Sequence, residues 1–126
     1  MVKGIDHIEL IVKDVEPYIK LFETLGFQLK RRTSHHGESV EMGLAGDNQP
    51  LFEIHQVSGE ENIGVNHIAF RVDDAHQAYQ ELLGKGVAIE GEPTFVSATG
   101  RLVVNFRDPD GWRLQLVEAD RKAMQE

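Results

Sequence analysis

The chain has 126 residues, no cysteine and a formal charge of −8, and apolar residues make up 40% of it. That length fits one domain, 1–126, with a real core. The missing thiols exclude disulfides and thiolate ligands, and the acid excess argues against nucleic acid and anionic membranes, which are held by surplus Lys and Arg. No apolar run approaches the roughly 18 residues of a membrane span, and Met1-Val2-Lys3-Gly4 opens without a signal-type apolar stretch, so a cytoplasmic protein acting on a small molecule is expected.

Taken in chain order, 5–12 alternates as a strand, with Ile8, Leu10 and Val12 on one face and Ile5, His7, Glu9 and Ile11 on the other. Asp14 caps a helix over 15–25 that carries Val15, Tyr18, Ile19, Phe22 and Leu25 at helical spacing, and Gly26 ends it. Strands are predicted at 27–33, 40–44 and 51–57, with a His35-His36-Gly37-Glu38 loop and a Gly46-Asp47-Asn48 turn between them. Residues 58–63 form a linker. The plan then recurs, with a strand over 65–72, a helix capped by Asp73-Asp74 and ending near Gly84-Lys85-Gly86, a strand at 87–90, then Pro93-Thr94-Phe95-Val96 and a loop at Ala98-Thr99-Gly100, and strands at 101–107 and 112–118. The turn Asp108-Pro109-Asp110-Gly111 joins the last two, and 119–126 reads as a polar tail.

The recurrence is visible in the residues themselves. Gly4-Ile5-Asp6-His7-Ile8 is answered sixty residues later by Gly64-Val65-Asn66-His67-Ile68. The register holds without a gap through Val12 and Val72, Asp14 and Asp74, and Gly26 and Gly86. Phe52-Glu53-Ile54 aligns with Leu114-Gln115-Leu116. The expected architecture is α+β: two tandem βαβββ modules, about 4–58 and 64–119, forming a curved sheet or half-barrels around a cleft. Each sheet puts its apolar face on its own helix.

A pseudo-two-fold axis relating the modules brings His7 to His67 and Glu53 to Gln115. Each of the four lies between apolar neighbours that face a helix, so each points into the cleft. Two imidazoles, a carboxylate and an amide oxygen make a four-ligand site for a divalent first-row metal, with open positions for substrate oxygens. Nickel, zinc, cobalt, manganese and iron are all compatible. By the same parity Arg71 and His55 face the cleft as candidate substrate-binding groups. Arg71 suits a carboxylate or phosphate, or an ion pair with Glu9 or Glu53; His55 suits an extra ligand, a proton carrier or an exposed strand end. Lys30-Arg31-Arg32 reads as a solvated strand face, Trp112 as a packing residue, and His35, His36 and His76 receive no role.

Asp6-His7-Ile8, Asn66-His67-Ile68-Ala69-Phe70, the Leu25-Gly26-Phe27 helix exit and Asp108-Pro109-Asp110-Gly111 together resemble the vicinal oxygen chelate superfamily over about 4–118. That superfamily includes glyoxalase I, methylmalonyl-CoA epimerase, extradiol dioxygenases and the fosfomycin and bleomycin resistance proteins. The resemblance implies metal ligands at His7, Glu53, His67 and Gln115. The His/Glu/His/Gln order departs from bacterial glyoxalase I, which has carboxylates at both last-strand positions, and from the epimerase, which has the amide and the acid in the opposite order. By resemblance, a glutamate takes a proton beside a metal-bound carbonyl and returns it to the neighbouring carbon. Glu53 is the first candidate for that base and Glu9 the second, with an ordinary exposed glutamate as the plain reading of Glu9. The expected function is a divalent-metal-dependent lyase or isomerase of the glyoxalase type acting on a small carbonyl compound. An iron(II) extradiol-type dioxygenase and a non-catalytic resistance-type binding protein are the alternatives. A homodimer is expected, since a lone module leaves a sheet edge to cover, and the cleft is open to being intra-chain or shared.

Overall fold

A computed structural model describes residues 1–119; the expected polar tail beyond Ala119 lies outside the described residues. Two amphipathic helices form where the apolar spacing predicts them. Helix α1 (Val15–Thr24) is capped by Asp14, whose carboxylate accepts from the Glu16 amide at 3.2 Å, and α2 (Ala75–Gly84) by Asp74, which accepts from the Gln77 amide at 3.0 Å. Both modules leave their helix through a glycine of positive φ, Gly26 at +101° and Gly86 at +77°, a conformation that costs other residues more.

The strands are β1 (Gly4–Val12), β2 (Gln28–Thr33), β3 (Ser39–Gly43), β4 (Leu51–Gln56), β5 (Gly64–Arg71), β6 (Thr94–Val96), β7 (Arg101–Arg107) and β8 (Arg113–Glu118). They form one curled sheet in the order β2-β3-β4-β1-β5-β8-β7-β6. Within each module the first and last strands run parallel (β1 with β4, β5 with β8), and the modules join through antiparallel pairing of β1 with β5. The cleft is therefore built within one chain. The expected strand over 87–90 does not form; Ile89 makes a single bridge to Phe106, and Gly86 and Gly91, both at positive φ, bracket the stretch. The expected extension of β3 to Leu44 is also absent: the strand stops at Gly43.

The convex face carries two cores. Val12, Val15, Ile19, Phe22, Val40, Met42 and Ile54 pack under α1, and Val72, Ala75, Ala78, Val104 and Leu116 under α2. A third, smaller group, Ala69, Val103 and Val117, belongs by strand parity to the concave face of the second module. Trp112 does not pack; it is 55% exposed beside the turn. No helix among the described residues is long and apolar enough to cross a membrane.

Two bulges shape the seam. Ile5 pairs with Phe70 and His7 with Ala69, so Asp6 is the extra residue on β1; Glu9 pairs with His67 and Leu10 with Val65, so Asn66 is the extra residue on β5. The two bulged positions are equivalent in the repeat. A bulge re-aims the side chains beside it. Here it brings the residue before each histidine onto that histidine's ring.

Candidate metal centre

The row Glu41, Glu53, Glu9, His67 runs across β3, β4, β1 and β5 as directly paired positions. Like charges opposite one another destabilise a sheet unless something neutralises them. Part of the answer is Arg101 on β7, which is 1% exposed. Its guanidinium crosses the cleft to the first module: Nε donates to Asp6 at 3.0 Å, Nη1 to Glu53 at 3.1 Å and Nη2 to Glu41 at 2.9 Å. Arg31 adds a second cation, donating through Nε to Glu41 and through Nη2 to the Thr99 carbonyl at 2.7 Å. The basic run in β2 is thus not wholly a solvated face, because Arg31 turns inward.

These two guanidiniums do not balance the site. Asp6, Glu9, Glu41 and Glu53 are each at most 2% exposed, and four formal negative charges against two positive leave an excess of two. His55 and Glu61 form a separate balanced pair at 2.9 Å. Burial tends to raise His55's acidity, but its contacts with Glu9 and Glu61 prevail and push its pKa up to about 9. Burial likewise tends to raise Glu9, yet His55, His67 and His7 hold it down at about 2. Glu9 is therefore a buried ionised carboxylate, not an exposed one. Glu53 is raised, with burial outweighing the pull of His7 and Arg101.

At the centre, His7 Nδ1 donates to Asp6 at 2.8 Å and His67 Nδ1 donates to the Asn66 amide oxygen at 2.7 Å. Both rings are thereby fixed with a bare Nε2, and the two Nε2 atoms face each other at 3.3 Å. Glu9 Oε2 stands 3.0 Å from His67 Nε2, and Glu53 Oε2 stands 3.7 Å from His7 Nε2. Burial first, with His7 and Arg113 adding to it against Glu9, pulls His67 down to about 4, so the His67 ring is neutral at neutral pH. Facing lone pairs beside an excess of two negative charges are what a divalent cation satisfies. His7, Glu9 and His67 offer ligand atoms all within 4.8 Å of one another. The donor set fits a divalent metal on the chemistry of its atoms.

A cavity of about 260 Å³ opens over this cluster and is lined by His7, Glu9, Glu53, His67, Arg101 and Gln115, among others. Gln115 donates through Nε2 to Asn105 Oδ1 at 2.9 Å, which leaves its amide oxygen free of that bond. The structure thus brings His7, Glu53, His67 and Gln115 to one cavity, as expected, and adds Glu9 to the two imidazoles more closely than Glu53.

Two expected substrate-binding residues sit elsewhere. Arg71 is at the far end of β5, where its guanidinium overlies Gly4 and reaches the Lys3 carbonyl at 3.5 Å; it does not line the cavity. Parity assigns it to the cleft side, but Ala69, Val103 and Val117 pack together on that side before the chain reaches it. His55 is 1% exposed with each ring nitrogen against a carboxylate, Glu9 at 2.7 Å and Glu61 at 2.9 Å, and so touches a candidate ligand rather than the cavity. Conversely, His35 and His36, given no role, line the cavity mouth with ring centroids 3.8 Å apart. Asp6, Glu41, Arg101 and Arg113 were also missed. The acid or amide preceding each repeated histidine, and the parity of Glu41 in β3 and Arg101 in β7, were the available signals.

The curled two-module sheet with a histidine from each first strand at its seam defines the class: a paired-βαβββ domain with a metal-competent cleft. The chain belongs to the Glyoxalase/Bleomycin resistance protein/Dioxygenase superfamily, whose family model matches residues 4–116. Among solved structures it resembles a Streptomyces coelicolor methylmalonyl-CoA epimerase variant in complex with 2-nitronate-propionyl-CoA (TM-score 0.80, 19% identity, 94% of this chain and 99% of that one). It also resembles the methylmalonyl-CoA epimerase of Mycobacterium tuberculosis (TM-score 0.82, 18% identity, 99% and 93%) and a hypothetical protein of Bacillus halodurans C-125 (0.76, 19%, 92% and 94%). At these identities the likeness is one of fold. No curated protein matches in sequence.

Proposed function

We propose that the protein is a divalent-metal-dependent lyase or isomerase that moves a proton next to the carbonyl of a small substrate. The observation that carries this reading is the pair of bare Nε2 atoms facing each other at 3.3 Å across the seam, each ring pinned by an acceptor on its other nitrogen. His7, Glu9 and His67 would hold the metal, with Gln115 and Glu53 at the border of the same space. When bound, the metal supplies Lewis acidity that polarises a carbonyl and acidifies the adjacent C–H.

Glu53 is the proton carrier in this reading. Its Oε2 is held by Arg101, its Oε1 has no hydrogen-bond partner among the described residues, and burial raises its proton affinity. A raised carboxylate is a better base and can give the proton back to the neighbouring carbon. Glu9 is held ionised by His55, which keeps it as a ligand rather than a proton carrier.

A second reading, an iron(II) dioxygenase, is favoured by one observation: His7, His67 and Glu9 make a 2-His-1-carboxylate set. Metal dependence separates the two. The purified chain is analysed for bound metal, then loaded with Ni, Co, Zn, Mn or Fe(II). Activity is followed as solvent deuterium entering the hemithioacetal of methylglyoxal and a 2-methylmalonyl thioester, and as oxygen consumption with catechols. Deuterium exchange with Ni, Co, Zn or Mn supports the first reading and Fe(II)-dependent oxygen uptake the second. A chain that takes up none of these metals overturns both.

A further inference from the structure

Arg113 opens β8 two residues before Gln115 and lines the same cavity as the histidine pair. The lining it shares with the histidine pair includes Asn66, Asn105 and Gln115, which are polar and uncharged, and Glu61, which is paired with His55. Its situation is unlike that of the other guanidinium there: Arg101 is consumed by Asp6, Glu41 and Glu53. None of the guanidinium N–H groups of Arg113 makes a hydrogen bond among the described residues; Nε is buried without a partner, and the one ion pair is a loose 3.9 Å approach to Glu90. An exposed pair at that distance contributes little. Arg113 is thus a fork with nothing in it, facing the place where a substrate must lie.

The charge around it selects what fills the fork. Asp6, Glu9, Glu41 and Glu53 are offset by Arg31, Arg101 and a divalent cation, and His55 is offset by Glu61. One positive charge, that of Arg113, is left over. A monoanion closes the balance, whereas a neutral compound leaves the guanidinium without a counter-ion and a dianion overshoots. We propose that Arg113 is the anchor for a substrate carboxylate, so that the site takes small carbonyl compounds bearing one carboxylate, of the 2-oxo acid type, over neutral carbonyl compounds. This rests on the metal reading above for the position of the reacting carbonyl. Planar guanidinium matches planar carboxylate through two parallel N–H donors, which an ammonium does not reproduce.

The probes are pyruvate and its neutral isostere pyruvamide, titrated calorimetrically into wild type, Arg113→Gln and Arg113→Lys, each nickel-loaded and chelator-treated, with metal content measured on the same samples. Pyruvate is expected to bind wild type more tightly than pyruvamide. Arg113→Gln weakens pyruvate about 10- to 100-fold and leaves pyruvamide unchanged, as expected for a lost charge-assisted hydrogen-bond pair. Arg113→Lys falls between. The Arg113 side chain is 39% exposed, so these variants are expected to fold, and their melting curves verify it. Equal binding of the two probes to wild type, or pyruvate binding to Arg113→Gln as tightly as to wild type, overturns the assignment even where metal is bound. A chain that binds no metal yet still prefers pyruvate through Arg113 overturns the metal reading and leaves the anchor standing.

Discussion

Replacing Arg101 by Met removes the cation that three buried carboxylates share while keeping much of its bulk. Arg101 is 1% exposed, and its three contacts lie between 2.9 and 3.1 Å. Removing one partner of a buried ion pair costs about 3–5 kcal/mol because the other charge is stranded. For a domain of this size each kcal/mol lowers the melting temperature by about 4 °C, so a fall of roughly 12–20 °C is expected. The assay is thermal unfolding of chelator-treated wild type and variant between pH 4 and 8. Burial already raises Glu53 with Arg101 in place, and without it Glu53 rises further. A group whose folded pKa lies above its unfolded value contributes its stability below the unfolded pKa and loses it as pH rises through the folded one. The deficit of Arg101→Met is therefore smallest near pH 4 and widens toward pH 8. Adding Glu41→Gln to Arg101→Met costs less than the sum of the two single changes. A fall under about 4 °C at pH 8, or a deficit that grows on acidification, would refute the clamp.

Further outcomes follow from the same geometry. Asn66→Leu removes the acceptor that fixes the His67 ring; metal affinity by competition with a chromophoric chelator falls about 10- to 100-fold, with little change in the melting point of the metal-free chain. His7→Ala or His67→Ala abolishes stoichiometric metal uptake, and retention of a full equivalent by either variant contradicts the seam site. In chelator-treated protein, Glu9→Gln removes the contact with His55. Glu9 sits at about 2 when folded, below its ordinary value of 4.5, so its contribution is present above 4.5 and lost as pH falls toward 2. His55 sits at about 9, above 6.5, so its share is present below 6.5 and lost as pH rises toward 9. The stability difference between wild type and Glu9→Gln is thus largest between about pH 4.5 and 6.5 and shrinks on both sides; a difference flat with pH contradicts an ionised pair. Gly26→Ala, at φ +101°, costs about 1 kcal/mol by denaturant unfolding although no atom lies within 4 Å of the added methyl.

Most of the fold could be read from the chain because two signals agreed. The repeat set the module, and strand alternation and helix spacing set the faces; His7, Glu53, His67 and Gln115 all reach one cavity as that reading expects. What escaped were features that depend on more than a strand's own pattern. The bulges at Asp6 and Asn66 break alternation, and alternation alone sends both residues to the helix side. Parity says which face Arg71 occupies but not that the cleft is already filled at Ala69. Glu9 looked like surface because its burial comes from cross-strand neighbours, Glu53 on one side and His67 on the other. Arg101 stands apart in sequence from every acid it binds, 95 residues from Asp6 and 48 from Glu53, and only the curl of the sheet brings them together. The short stretch before β6 carries apolar residues enough for a strand, but its flanking glycines leave it with one bridge.

The antiparallel seam between β1 and β5 also says how the chain can be divided. Each module keeps its own helix, its own three-strand meander and its own parallel pair when the connection between β4 and β5 is severed, and Glu61 stays with His55 if the break falls after Asn62. Two co-produced pieces have complementary exposed edges and can zip back together, while neither piece by itself holds both facing imidazoles: His7 stays with Glu9 and Glu53 on one, and His67 with Gln115 on the other. On the proposed reading, metal uptake would then report reunion directly: the site belongs to neither fragment, only to the joint between them.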